Sequence, residues 1–294
     1  MNATYSQPRR KARLIRAAIT LSIAAMLTTS SGINKVFAAT PQSSPAERWS
    51  YADVADLFLA APIVARARIA DAIVLKDAAA ATARPGTIRY YLVADVTTLI
   101  RGQDGLAPRV AFLADVPTDS RGKAPKLKKA EVLLAALPVP GRPGEVRLAA
   151  RDAMVPWRAA VEARVRSLIA SGLTPDAPPR ITGIGSAFFS AGNLPGEGET
   201  QIFLTTADNR PVSLQVLRRP GFEPRWAMAL GEIVDEAARP PEPDTLAWYR
   251  LACTLPPTLP PRAVAELSPD DAQAANRDYR FVMQSLGPCG RTRG

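Results

Sequence analysis

Between residues 87 and 100 the chain alternates so regularly that one kind of local structure fits it. Ile88, Tyr90, Leu92, Ala94 and Val96 fall on one set of positions, and Arg89, Tyr91, Asp95 and Thr97 on the other. Side chains of a strand point to opposite faces with a period of two, so the segment predicts a half-buried β-strand. Such a strand needs partners, and four further runs supply them: 63–75, 109–116, 130–139 and 145–155. In the run 109–116, Val110, Phe112, Ala114 and Val116 share the inward face. The run 130–139 (AEVLLAALPV) is apolar enough to be buried on both faces. Turn residues separate the runs, at Arg84-Pro85-Gly86, from Gly102 to Gly105, and at 140–144 (PGRPG). Five strands with such short connections predict a small antiparallel, barrel-like sheet of the OB type. Ser50 opens a short helix before it, with Asp53 completing a capping box and Val54, Leu57 and Phe58 forming one apolar stripe.

The pieces 63–74, 90–102 and 132–137 follow one another as an export-type first strand, a long second strand ending before Gly102, and a Leu-rich later strand. In this order, residues 60–155 resemble the secreted OB-fold modules of the netrin-like and protease-inhibitor type. The resemblance implies an OB-like fold. The inhibitor members reach a catalytic metal through a processed N-terminal Cys. This chain departs from them there, because no Cys precedes Cys253. Metalloprotease inhibition is therefore not carried over.

The remainder, 156–294, reads as a second α+β domain. Pro156 is expected to start a helix whose stripe is Val161, Val165, Leu168 and Ile169, with Gly172 stopping it. Strand signals follow at 181–190, 201–206, 212–217 and 225–234, the middle two joined by a turn at Ala207-Asp208-Asn209-Arg210. Trp226, Trp248 and Tyr249 are expected in its core. A short helix is expected at 244–253, and Ser268-Pro269-Asp270-Asp271 starts a second one, with cap, proline and acids in the order a helix N-terminus favours. Its buried stripe is Ala275, Tyr279, Val282, Met283 and Leu286. The fold class is thus α+β, an OB-like sheet (50–155) followed by an antiparallel sheet packed by helices.

The net charge is +10, from 37 basic and 27 acidic residues. Arg9, Arg10, Lys11, Arg13, Arg16 and Lys35 lie in the first 38 residues, which hold no acid. The rest therefore carries 31 basic against 27 acidic residues, a net of +4. Charge that small gives little steering toward nucleic acid, and no nucleic-acid partner is expected. The basic start, the apolar run 17–28 and the ending Val36-Phe37-Ala38 predict a signal peptide (1–38) cut after Ala38 and a flexible leader (39–49). The alternative is an uncleaved anchor, but a run of ~12 residues falls short of the ~20 that span a bilayer. The expected address is periplasmic or secreted, with no membrane span after cleavage. In such a compartment the two cysteines, Cys253 and Cys289, predict a disulfide. Closing a loop of about 35 residues is worth roughly 3–4 kcal/mol in the chain-entropy model.

Histidine is absent. That removes Ser-His and Cys-His catalysis and His-ligated metals, and two cysteines cannot make a four-cysteine zinc site. No catalytic residue, metal site or cofactor is assigned. Two binding surfaces are candidates. The segment 121–129 (RGKAPKLKK) carries Arg121, Lys123, Lys126, Lys128 and Lys129 without an acid, a composition that suits an anionic ligand. Arg66, Arg68, Arg89 and Tyr91 lie on the outward faces of the first two strands, where OB-folds bind polymers. Weaker motifs read as structure. Ser120 and Lys123 fit S-x-x-K without its partner motifs, Gly183-Ile184-Gly185 lacks a third glycine, Asp270-Asp271 caps a helix, and 192–200 (GNLPGEGET) is a hairpin loop. The function expected is an exported, non-catalytic binding or envelope-associated protein, with a protein partner or an anionic polymer as its ligand. The alternative is a carboxylate-dependent hydrolase acting on an envelope polymer.

Overall fold

A computed structural model describes residues 49–231 and 239–293. The signal-peptide and leader readings therefore lie, but for Trp49, outside the described residues. The architecture is α+β, with antiparallel sheets and, among the described residues, four α-helices. Helix α1 (Tyr51–Phe58) begins on Ser50, and the expected capping box forms in both directions with Asp53. The first sheet then contains β1 (Ile63–Val74), β2 (Thr87–Arg101), β3 (Arg109–Pro117), β4 (Glu131–Pro138), β5 (Val146–Leu148) and β6 (Met154–Pro156). Its order is β3-β2-β1-β4-β5, with β6 also paired to β4. One parallel bridge, Ala111 to Glu145, links β3 to the turn before β5, but among the described residues no ladder closes the sheet.

The inward faces are those the alternation predicts. Tyr90, Leu92 and Ala94 meet Ala114, Phe112 and Val110 across β2 and β3, and all are buried. Strand β4 buries five consecutive residues, Val132 to Ala136. Val132, Leu134 and Ala136 join the smaller apolar cluster inside the first sheet, and Leu133 and Ala135 join the larger one on its other side.

The larger cluster draws residues from either side of position 155. It contains α1 residues, Val64, Ala153, Val155 and the stripe Val161, Val165, Leu168 and Ile169 of α2 (Ala159–Leu173). It also contains the inner face of a four-stranded sheet, β7 (Ile181–Ala191), β8 (Gly198–Thr206), β9 (Val212–Arg218) and β10 (Arg225–Ala229), ordered β10-β9-β8-β7. Helices α3 (Leu246–Ala252) and α4 (Pro269–Leu286) add Leu246, Trp248, Leu251, Ala275, Tyr279, Val282 and Leu286. Trp226 is buried in the same cluster, and Tyr249 packs half-buried against it.

Three sequence readings need correction. The run 145–155 is two short strands, because residues 149–153 turn and bring Met154 back onto Leu134. Pro156 ends β6 and does not start a helix; it sits opposite Val132. Proline is tolerated at a strand edge, and α2 starts three residues later without a side-chain cap. The last strand stops at Ala229, short of the expected 234, and residues 232–238 lie outside the described residues.

Asp278 of α4 is fully buried against the second sheet. It accepts from the Thr200 hydroxyl at 2.5 Å and from the Arg218 guanidinium. Removing one partner of a buried ion pair strands the other, typically at roughly 3–5 kcal/mol. Asp278→Ala is therefore expected to destabilise the fold by about that amount, while Arg68→Ala, an exposed pair, stays within about 1 kcal/mol. Chemical denaturation of both variants checks the contrast.

Candidate functional site

The two surfaces singled out from the sequence differ in how their charge is balanced. On the outward face of the first sheet, Arg68 lies opposite Glu131 in the β1–β4 register, and both Arg66 and Arg68 bond that carboxylate. Arg66 also stacks its guanidinium 3.8 Å above the Trp157 ring, whose Nε1–H donates to Glu162. The bonds from Arg68, then Arg66, hold the Glu131 carboxyl below the ordinary range. Arg89 lies opposite Asp115 and bonds it through two nitrogens at 2.7 and 2.8 Å. Tyr91 sits apart from Arg66 and Arg68, in an apolar cross-strand row with Ile73 and Leu113. Asp95, opposite Arg68, bonds Arg109 at 2.7 Å. The four residues do not form one cationic face.

The 121–129 segment is built differently. Asp119 accepts from the backbone N–H of Arg121 and of Lys123, at 2.9 and 2.8 Å, and Gly122 takes a φ of 72° to make the turn. Ala124 and Leu127 pack on the smaller apolar cluster, and the Tyr90 hydroxyl donates to Pro125 O at 3.0 Å. Lys129 N–H donates to Ile69 O, so the loop leads directly into the β1–β4 pairing. The loop is thus fixed at both ends and in its middle. Arg121, Lys123, Lys126, Lys128 and Lys129 all remain exposed. Among the described residues the only ion pair they make is Lys128 to Asp71, at 3.7 Å. Exposed cations on a fixed backbone, with Lys128 alone ion-paired among the described residues, suit an extended polyanion, which gains from several contacts at once.

The remaining motifs are accounted for locally. Ser120 and Lys123 lie in the exposed turn capped by Asp119. Gly183 and Gly185 lie within β7. Asp271 N–H bonds Ser268 Oγ at the start of α4. In 192–200, Glu197 accepts from the backbone of Asn193 and Leu194.

The sequence reading missed a third constellation, around α1. Asp53 is fully buried. Beside its cap to Ser50, it accepts from Thr292 N–H at 3.0 Å, Thr292 Oγ1 at 2.5 Å and Arg293 N–H at 3.2 Å. Asp56 accepts from Arg291 and from the Tyr249 hydroxyl, at 2.7 and 2.6 Å. Asp152 receives two bonds from Arg293 at 2.9 and 2.7 Å. Burial works to raise the Asp53 carboxyl, but the bonds from Thr292, Arg293 and Ser50 outweigh it and hold the group below its usual range. The Arg293 bonds do the same for Asp152. Burial, aided by Asp56, pushes the Tyr249 phenol up to about 12. Two arginines spaced by one residue beyond Cys289 were the available signal. Their carboxylate partners lie more than 140 positions away and cannot be assigned from the sequence.

Cys253 and Cys289 are bonded, as expected from their number. No helix among the described residues is long and apolar enough to cross a membrane, and no cluster of three or more Asp, Glu or Cys there could hold a metal ion. No known family model matches the chain, and no curated protein matches it.

The lowered Asp53 and Asp152 values fix a sign. Stability that these groups add is complete above the ordinary carboxylate value near pH 4 and is lost as pH falls through their lowered folded values. Asp53→Asn is expected to cost about 2 kcal/mol at pH 7, the scale of hydrogen bonds to a charged group, and to flatten the acid limb of stability. Melting temperatures from pH 7 down to pH 2 measure both.

Proposed function

We propose that this chain is an exported, non-catalytic binding protein that docks on an anionic polymer of the cell envelope through its 121–129 loop. One contrast carries the reading. Arg66, Arg68 and Arg89 are each matched by a carboxylate on the neighbouring strand, whereas the loop presents five exposed cations with one ion pair among the described residues. The loop's fixed backbone adds to this, because little order is lost on docking.

Export rests on the composition of residues 1–38 and suits a chain whose two cysteines are paired. The OB-like, netrin-like reading of the first sheet is part of the same proposal. It is supported by the order β3-β2-β1-β4-β5 and by the bridge between Ala111 and Glu145. A hydrolase of the two-carboxylate kind needs one acid held protonated, with a raised pKa. Among the described residues, every carboxyl whose acidity is shifted is shifted down, through bonds from arginine or other donors. That favours the binding reading over the hydrolase.

The test uses purified protein on immobilised dextran sulfate. Binding is expected to weaken steeply with salt. Replacing Lys126, Lys128 and Lys129 together by Ala is expected to weaken it at least about tenfold, at ~0.5 kcal/mol per exposed charge. Arg66→Ala is expected to leave it unchanged. A triple variant that binds as tightly as the wild type overturns the proposal.

A further inference from the structure

Helix α4 ends at Gly287, whose φ of 69° turns the chain out of the helix. Leu286 is the last buried residue among the described ones. Helices α3 and α4 share contacts besides the disulfide. Leu251, Tyr279, Val282 and Leu286 share one apolar cluster. The Trp248 indole donates to Leu286 O at 2.8 Å, and the Tyr279 hydroxyl donates to Pro256 O at 2.5 Å. What the bridge holds beyond these contacts is the segment that follows.

That segment is attached unlike the rest of the chain. Residues 288–291 make no backbone–backbone hydrogen bond among the described residues. Arg291, Thr292 and Arg293 are held by the carboxylates of Asp53, Asp56 and Asp152, and Arg291 also donates to Cys253 O at 3.2 Å. Arg291 is exposed, and exposed ion pairs are individually weak. Cys289 lies two residues before Arg291, so the bridge confines the arginines beside their carboxylates and makes their binding effectively intramolecular. Both cysteines are partly exposed, within reach of a reductant.

We propose that Cys253–Cys289 is a redox latch: closed, it straps residues 291–293 across α1, and opened by a dithiol it releases them and uncovers Asp53, Asp56 and Asp152. The chemistry is ordinary exchange. A thiolate of the dithiol attacks one sulfur of the bridge, and its second thiol displaces the other. The bridge gains two electrons and two protons and becomes two thiols, while the dithiol leaves as a cyclic disulfide. The body of the fold keeps its apolar contacts throughout. The proposal is independent of the 121–129 loop.

Docking of residues 291–293 and the closed bridge are thermodynamically coupled, so the effect runs both ways. In the oxidised protein the Arg291–Thr292 bond is expected to resist trypsin. After dithiothreitol and alkylation, mass spectrometry is expected to find it cut at least tenfold faster, with hydrogen exchange in α3 and α4 unchanged. Conversely, Arg291→Ala with Arg293→Ala is expected to shift the equilibrium with dithiothreitol severalfold toward the reduced form. Equal protection of residues 291–293 before and after reduction overturns the latch. So does loss of exchange protection through α3 and α4 on reduction, which would make the bridge a staple of the body. A double variant whose bridge reduces like the wild type's overturns it as well.

Discussion

The structure depends on a strand that has no exposed face. Five consecutive residues of β4 are buried, alternately in the cluster inside the first sheet and in the larger cluster behind it. Burying aliphatic side chains of this size is worth about 1.5–3 kcal/mol each for Val and Leu. The contribution is available only if both sides of the strand are covered. On one side the strand shares an apolar cluster with the inward residues of β2 and β3, and on the other with the helices and the second sheet. The two sheets thus share a wall, and neither can complete its core without β4 in register. A shift by one residue would exchange Leu133 and Leu134 between the two clusters and unsettle both.

The charges are arranged around that wall in two ways. Several cations on strands are matched across the ladder, as Arg89 with Asp115 and Arg68 with Glu131. Register alone brings those partners together. In the connection 121–129, one strand carboxylate among the described residues reaches the cations, Asp71 of β1 at Lys128. The loop is fixed by its apolar residues and its backbone, which leaves the lysine heads in water.

The same distinction separates what was legible in the sequence from what was not. Faces of β2 and β3 were legible because period-two alternation is local to each run, and the two-sided burial of β4 because its run is continuously apolar. So were the caps of α1 and α4, each spelled within four residues, and the pairing of the only two cysteines. The break inside 145–155 was not legible, because Ala149-Ala150-Arg151-Asp152 contains neither Gly nor Pro, and it is pairing to β4 that divides the run. Pro156 misled because proline suits a helix start and a strand edge equally. The balance of Arg66 and Arg68 depends on Glu131, more than 60 positions away, and the site around α1 joins residues 53 and 292. Such pairs become visible only when the register and the path of the chain are known.

Asp53 shows how one residue serves a local and a distant requirement together. A helix N-terminus leaves backbone N–H groups without partners, and a capping box needs a side-chain acceptor at its third position. Asp53 meets that need with one oxygen bonded to the Ser50 N–H. A carboxylate has capacity for further bonds, and burying it leaves that capacity unmet unless donors arrive from elsewhere. Thr292 and Arg293 are those donors. A fully buried carboxylate at the start of α1 thus requires residues 292 and 293 to be seated, and the covalent link at Cys289 keeps them within reach. The first turn of the first described helix and the residues after α4 are for this reason one structural unit, although 239 positions separate Asp53 from Thr292.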